Sequence, residues 1–392
     1  MASCANLPAG YFNAYRGIAG RADLDAVLHL GDYYYEYPNA RYGDGARFGR
    51  LPAPPHETFS LAEYRTRHAQ YKADPDLQEA HRQHPWITVW DDHEVANNTW
   101  RDGAENHNPD QGEGEWGTRR RAAVRAYYEW MPIRGDADSG VPRVYRTFRF
   151  GSLADLVMLD TRVVGRDRQA AARDDLAVID APARSLLGRA QEDWLFGELR
   201  RSKRRGARWQ LLGQQVMFAS NTPRGRPAGN VDSWDGYRPA RDRVIDFLAA
   251  NQLKNTVILT GDVHSSWAYD IARDPWGAYD PATGRGAVAI ECVTPSVTSR
   301  SGWDAKTAPE RLRTLRSERP HLHWADGLAH GYVVLDVTGD AVHADWFGVP
   351  TIEERTTEEG FEKGFTSAYG NPHMVEATSP APPDGNAPDP AA

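Results

Sequence analysis

The chain has 392 residues, 40% of them hydrophobic and 26% charged, with a formal net charge of −8. That apolar share builds a sizeable core and excludes wholesale disorder, and the length allows one large decorated domain or two to three small ones. No stretch reaches the about 20 consecutive apolar residues of a membrane helix, the acidic balance argues against a general nucleic-acid binder, and two cysteines, Cys4 and Cys292, cannot make a disulfide scaffold.

In chain order, one pattern recurs: a short apolar run that ends in Asp. Residues 26–30 run into Gly31-Asp32, 86–90 into Asp91-Asp92-His93, 154–159 into Asp160, and 256–260 into Gly261-Asp262. Their length and β-branched content predict buried strands. In α/β sheets ligand sites gather at the carboxyl ends of strands, so four strands that each release a carboxylate there would bring the acids together. One such Asp is ordinarily a turn or helix cap; four point to a shared site. Helical spacing predicts helices over 61–71 with Ser60 as N-cap, and over 122–130, 190–200 and 239–250.

Residues 102–117 and 221–236 read as long loops, the first rich in Asn and acids and suited to a cation. Cys292 falls in an apolar run over 288–293 and reads as core. The Arg-rich run 200–205 follows a helix and reads as a solvated face, favourable at a helix C-terminus. His321, His323 and His330 sit in polar sequence and read as solvated. Residues 378–392, rich in Pro, Ala and Asp, are expected to form a disordered tail.

Three clusters carry chemistry. Gly31-Asp32-Tyr33-Tyr34-Tyr35-Glu36 places a carboxylate and phenols at a strand end. Asp91-Asp92-His93-Glu94 with Asn97 and Asn98 adds acids, an imidazole and amides, and Gly261-Asp262-Val263-His264 sets Asp and His two apart. Extended chain turns that pair to one side. Carboxylates gathered this closely need a counterion at neutral pH, and bound cations are the simplest, so the pattern implies a site for more than one metal ion. The zinc-peptidase motif His-Glu-x-x-His fails because Asn97 stands where its second His belongs. No Cys-x-x-Cys or Gly-x-Ser-x-Gly motif occurs. Hard oxygen ligands point to calcium, magnesium or a ferric ion.

These clusters, together with Ser3-Cys4, Leu159-Asp160-Thr161-Arg162 and Asp232-Ser233-Trp234-Asp235-Gly236-Tyr237, run in an order that resembles the signature series of PhoD-type alkaline phosphatases, members of the calcineurin-like metallophosphoesterase superfamily. The resemblance implies an α/β fold of four αββα layers, two mixed sheets face to face with helices outside. It also implies Fe3+ beside one or two Ca2+ ions, and hydrolysis of phosphate monoesters and diesters by a metal-bound hydroxide. Carried over by position, Cys4 is a thiolate and Tyr35 a phenolate ligand of the iron, and Asp32 bridges the metals. Asp92, Asp262, His264 and Asn97, with Asn98 as the alternative to Asn97, complete the set. His93 occupies the place of a phosphate-contacting His, and Arg16 that of a phosphate clamp. Arg162 and Arg166 read equally as surface salt bridges or as a phosphate-binding rim.

On this reading residues 1–350 form the catalytic domain, 351–377 an extension packing near it, and 378–392 the tail. The resemblance suggests an exported, extracellular or periplasmic protein, although Met1-Ala2-Ser3-Cys4 has no export signal. The family's N-terminal β-sandwich and the strand that holds its Cys also have no counterpart, so Cys4 is expected to be poorly tied down. The expected partners are small phosphate esters, with nucleic acid or phospholipid only as diester substrates, and the expected state is a monomer. Two rival readings stand beside it. One is a non-catalytic, cation-stabilised binding or scaffold protein, and the other is a carboxylate-pair glycosidase, which would leave His264 and Asn97 without a role.

Overall fold

The computed structural model describes residues 1–135, 143–385 and 387. Its strands are β1 (Val27–His29), β2 (Trp86–Thr88), β3 (Arg146–Phe150), β4 (Ala154–Met158), β5 (Trp209–Gly213), β6 (Thr256–Thr260), β7 (Ser266–Ala272), β8 (Ala287–Val293), β9 (Leu322–Asp326), β10 (His330–Val337), β11 (Ala341–Val349), β12 (Gly360–Ala368) and β13 (Val375–Ala377). The helices are α1 (Asn13–Ala19), α2 (Leu61–Lys72), α3 (Pro75–Gln83), α4 (Trp116–Trp130), α5 (Leu176–Ile179), α6 (Arg189–Arg205), α7 (Arg238–Ala250) and α8 (Ala308–Glu318).

The larger sheet has the order β3-β4-β5-β6-β8-β7-β9. Strands β4, β5, β6 and β8 run parallel, whereas β3 and β7 oppose their neighbours. The second layer is assembled from the parallel pair β1-β2 and the antiparallel β10-β11-β12-β13. The chain start joins them. The Ala2 N–H donates to Leu28 O at 2.9 Å and Ala2 O accepts from Leu30 N–H at 3.0 Å. On its other side Met1 exchanges both backbone hydrogen bonds with Val333 of β10. The result is a second mixed layer, as expected for this fold class.

Period-two alternation along the strands fills the space on both sides of the larger sheet. Leu156, Met158, Leu211, Val257, Leu259, Ile290 and Cys292 point into the core between the sheets, where they meet Ala2, Leu30, Val333, Val342 and Trp346. Their neighbours Val157, Leu159, Leu212, Ile258 and Val293 face the opposite way, onto Leu195 and Leu199 of α6 and Val244, Ile245 and Leu248 of α7. On the far side of the second layer α1 packs on α3 and on β10, and α2 packs on α4. Four layers, αββα, result.

The sequence places all four Asp-terminated strands and all four helices. Helix α2 opens on a capping box in which the Ser60 hydroxyl accepts from the Glu63 N–H and Glu63 returns to the Ser60 N–H. Helix α4 begins at Trp116 rather than 122, because Arg119 in its first turns is buried against Glu57 and Tyr64 instead of facing water. The basic run 200–205 forms the last turns of α6 rather than following it, with Ser202 buried and Arg205 paired to Asp155.

The three histidines expected in solvent are not there, because the short polar strand β9 pairs onto β7 and carries His321 and His323 to the sheet edge, while His330 opens β10 of the second layer. His321 is buried against Ser220 O at 2.8 Å, His330 bonds the Ser296 hydroxyl at 2.9 Å, and His323 stands beside Asp270. Residues 351–377 supply β12 and β13 to the second layer, β12 pairing with β11 from Ala341 to Gly348. Of the expected tail, Ala381 donates to Asp345 at 2.8 Å, and residues 386 and 388–392 lie outside the described residues. Among the described residues no helix is long and apolar enough to cross a membrane.

Candidate metal centre

The carboxyl ends of β1, β2 and β6 converge with the chain start. Gly31 makes the approach possible: at φ +106° it turns the chain after β1, and a Cβ there would lie 2.4 Å from the Asp91 Cβ. Seven non-glycine residues hold a positive φ among those described, and five of them, Cys4, Asp32, Asn98, Asp262 and His264, belong to this region. Each costs about 1–2 kcal/mol relative to the right-handed conformation, and such strain gathers where side chains must be aimed.

One half of the centre contains Cys4, Asp32, Tyr35 and His264. Cys4 is firmly held, which corrects the expectation that it would be loose. Its N–H donates to Gly31 O at 3.1 Å, and its carbonyl accepts from the Thr298 and Ser299 N–H groups at 3.3 Å each. The backbone of residues 1–5 therefore bonds to both flanking segments. The Tyr35 hydroxyl donates to Asp32 Oδ2 at 2.8 Å and accepts from the Ser299 hydroxyl at 2.7 Å, while His264 Nε2 stands 3.0 Å away. The Tyr42 hydroxyl donates to Arg300 O at 2.6 Å, so at its 2.7 Å contact with His264 Nδ1 the imidazole must be the donor. His264 Nε2 is then left as a bare lone pair facing the cluster. Burial pushes the His264 pKa down to about 3, which keeps the ring neutral. Burial pushes Cys4 and Asp32 the other way, well above their usual ranges, with neighbouring carboxylates adding to the effect.

The other half surrounds Arg162, whose side chain is completely buried. It donates through Nε to Asp91, through Nη1 to Asp232 at 2.6 Å and through Nη2 to Asp262 at 2.7 Å, with Asp92 at 3.7 Å. Arg162 is therefore neither a surface residue nor a rim residue: carboxylates from three separate chain segments enclose it. Arg166 is also buried, bonded to Asp232, Thr161 O and the Tyr237 hydroxyl. Asp160 caps the turn that carries them, accepting from the N–H groups of Arg162 and Val163 at 2.8 Å each. Burial would raise Asp92, but Arg162, His93 and the Asn98 N–H hold it below the usual carboxylate range. Burial prevails at Asp262, raising it to about 7.

His93 sits between the halves with its Nδ1 2.7 Å from Glu36 Oε2 and its ring centroid 4.1 Å from that of Tyr35. Burial would lower its pKa, but Glu36, Asp92 and Asp32 raise it well above the ordinary value, favouring the imidazolium. Sequence reasoning gave Glu36 no role, although its place four residues after Asp32 puts it in the same motif. It also missed the role of Glu94, which accepts from the N–H groups of Asp32, Tyr33 and Asp91 and so clamps the β1 and β2 turns together. The amides of Asn97 and Asn98 both donate to Glu105, while the Asn98 N–H donates to Asp92 Oδ2 at 2.6 Å. Arg16 is not brought into the cluster. It is half exposed on α1 and paired to Asp76 at 3.1 Å, because Asp76 at the start of α3 faces it across the α1–α3 contact.

The donor set fits cations. Cys4, Asp32 and His264 each offer an atom within 4.8 Å of the others, as do Asp32, Asp92 and His93, and Asp91, Asp92 and Asp262. Asp32 belongs to two of these sets. Beside the first set Tyr35 has one proton for two acceptors, Asp32 and His264, so a cation would satisfy the group left over. The sulfur and nitrogen donors of that set suit a transition metal, and the all-oxygen set suits a harder ion.

The layered fold, with this convergence of donors at its strand ends, is the αββα metallophosphoesterase sandwich. The family model for PhoD-like phosphatases matches residues 1–346, and the chain belongs to that family. It is 38% identical over 364 residues to alkaline phosphatase D of Bacillus subtilis (strain 168), an alignment that covers 90% of this chain and 59% of the relative's length. A solved structure of PhoD matches with a TM-score of 0.83 and 34% identity, covering 98% of this chain and 72% of the other. Purple acid phosphatase PPD1 from yellow lupin (Lupinus luteus) seeds matches with a TM-score of 0.51 and 12% identity, covering 91% and 48%, and shares the fold.

Proposed function

We propose that this chain hydrolyses phosphate monoesters and diesters at the centre formed by Asp32, Asp92, Asp262, Cys4 and His264. The observation that supports this reading most is the position of Asp32, which lies in the sulfur–nitrogen–oxygen set with Cys4 and His264 and also beside Asp92 of the all-carboxylate set. Cys4, Tyr35, Asp32 and His264 would hold Fe3+, and Asp32, Asp92 and Asp262, with Asn97 or Asn98, would hold one or two Ca2+ ions. When bound, such cations neutralise phosphoryl oxygens and acidify an attacking water.

The remaining work falls to the chain's own groups. Arg162 places one fixed positive charge beneath Asp91, Asp92 and Asp262, which lets these carboxylates stay close together without all being protonated. Glu36 engages Nδ1 of His93 and sustains its charge, leaving Nε2 to donate to a phosphoryl oxygen or to the departing ester oxygen. Tyr42 fixes the His264 tautomer in the form that presents Nε2. Arg16, turned to Asp76, has no part in this scheme.

The test is turnover of a chromogenic phosphomonoester and diester by the full chain, with iron and calcium supplied or chelated. Metal-dependent turnover that disappears in Asp262→Ala supports the proposal. Calcium binding with no turnover of either ester would instead identify a cation-stabilised binding protein, and activity that survives exhaustive chelation would also overturn the proposal.

A further inference from the structure

A second set of donors lies away from this centre. Asp270 of β7, His323 of β9 and His373 of the β12–β13 loop each offer a ligand atom within 4.8 Å of the others. Asp270 lies beyond Ser266 by about 13 Å of strand, at about 3.3 Å per residue. Its side chain is wholly buried, and among the described residues its ion-pair partners are His323 and His373, with no Lys or Arg. A carboxylate removed from water needs a countercharge. Asp270 Oδ2 accepts from the Tyr279 hydroxyl at 2.9 Å and from His373 Nδ1 at 2.6 Å, and Oδ1 accepts from the Met374 N–H at 3.0 Å. His323 Nε2 stands 3.0 Å from Oδ1 but at an angle outside hydrogen-bond geometry, and this buried nitrogen has no other partner.

Two features of the backbone bring the set together. The β7–β9 ladder slips between Ala268 and Tyr269: Ala268 pairs with Trp324 and Tyr269 with Leu322, leaving His323 as the extra residue. A bulge of this kind re-aims a side chain, and here it turns His323 to the face that bears Asp270. His373 is admitted by Gly284, whose φ is +69° and where a Cβ would lie 2.4 Å from the His373 Cβ.

We propose that Asp270, His323 and His373 bind one divalent transition-metal ion of the zinc class, which ties the β12–β13 loop of the second layer to β7 and β9 of the larger sheet. Two imidazoles and one carboxylate form a three-ligand set suited to zinc, with a fourth position left for water. The two histidines are 17% and 11% exposed, so that position is reachable from solvent. Tyr279, bonded to Asp270, orients the carboxylate from outside the ligand set. The donors differ from those of the main centre, and the proposal stands independently of the phosphoesterase reading.

The test is titration of the metal-free full chain with Zn2+, and with Co2+ for spectroscopy. A background of Asp32→Asn and Asp262→Asn weakens the main centre. The proposal expects that background to bind one equivalent, to show a visible Co2+ d–d band and to gain thermal stability with zinc. Adding His323→Gln and His373→Gln should remove all three responses. Equal zinc stoichiometry with and without the histidine substitutions would overturn the site and leave Asp270 and His373 as a hydrogen-bonded pair. If the four-site variant does not fold, a background protein that lacks both the zinc equivalent and the Co2+ band overturns it equally.

Discussion

Around Arg162, four carboxylates from residues 91, 92, 232 and 262 share a guanidinium that no solvent reaches. Around Asp32, a thiol, a phenol and a neutral imidazole meet a buried carboxylate with no Lys or Arg among the described residues. The first half has a countercharge built into the chain and so folds with its acids already in place. The second half has only the His93 imidazolium, which Glu36 and Asp92 share, and burial still holds Cys4 and Asp32 above their usual ranges. The difference teaches that stability and metal affinity are distributed unevenly across one centre.

Substitutions can break that contrast. The largest effect is expected for Arg162→Met, which strands several buried carboxylates and should cost about 3–5 kcal/mol in metal-free denaturant unfolding. Cys4→Ser, in the half without a built-in guanidinium, should cost only about 1 kcal/mol in the same measurement and should instead lower iron content. Next comes Asp262→Ala, which removes a donor and an Arg162 partner together; kcat/KM should fall beyond the about 100-fold typical of lost outer partners.

Glu36→Gln removes the largest influence raising His93, so activity should fall by about 10–100-fold and the alkaline limb of its pH profile should move to lower pH. An unmoved alkaline limb would show that His93 does not use its proton. His68 provides the smallest effect at neutral pH and a control away from the centre. Buried between Tyr34 and Trp130 without a hydrogen-bond partner, it is pushed by burial from 6.5 down to about 3. A depressed folded pKa contributes stability that is present above pH 6.5 and lost as pH falls toward 3. His68→Phe should therefore leave stability near pH 7 little changed and flatten the acid limb, as followed by unfolding at several pH values.

Local signals made much of the fold legible. The apolar runs into Asp32, Asp92, Asp160 and Asp262 marked strand ends, and Ser60 with Glu63 marked a helix start, because both are short-range patterns. Partners fixed by register were not legible: residues 1–5 bond to segments around 30, 298 and 333, and so short a segment carries no sign of that. Arg162 and Arg166 were misplaced because arginine is ordinarily exposed, and nothing near them in sequence reveals acids arriving from residues 91, 232 and 262. The left-handed backbone at Asp32, Asp262 and His264 is equally silent, since Asp and His, although enriched there among non-glycine residues, adopt it at only a small share of their positions. Arg16 shows the reverse error, because position in a motif did not foresee that Asp76 would capture its side chain.

The most direct test of the central claim is elemental analysis of freshly purified wild-type and Asp32→Asn protein, with folding confirmed by circular dichroism. If Asp32 joins two cation positions, the wild type contains iron and calcium, and the variant loses both together. A folded variant that retains the full content of either metal, or a wild type that is active and metal-free, would contradict the account.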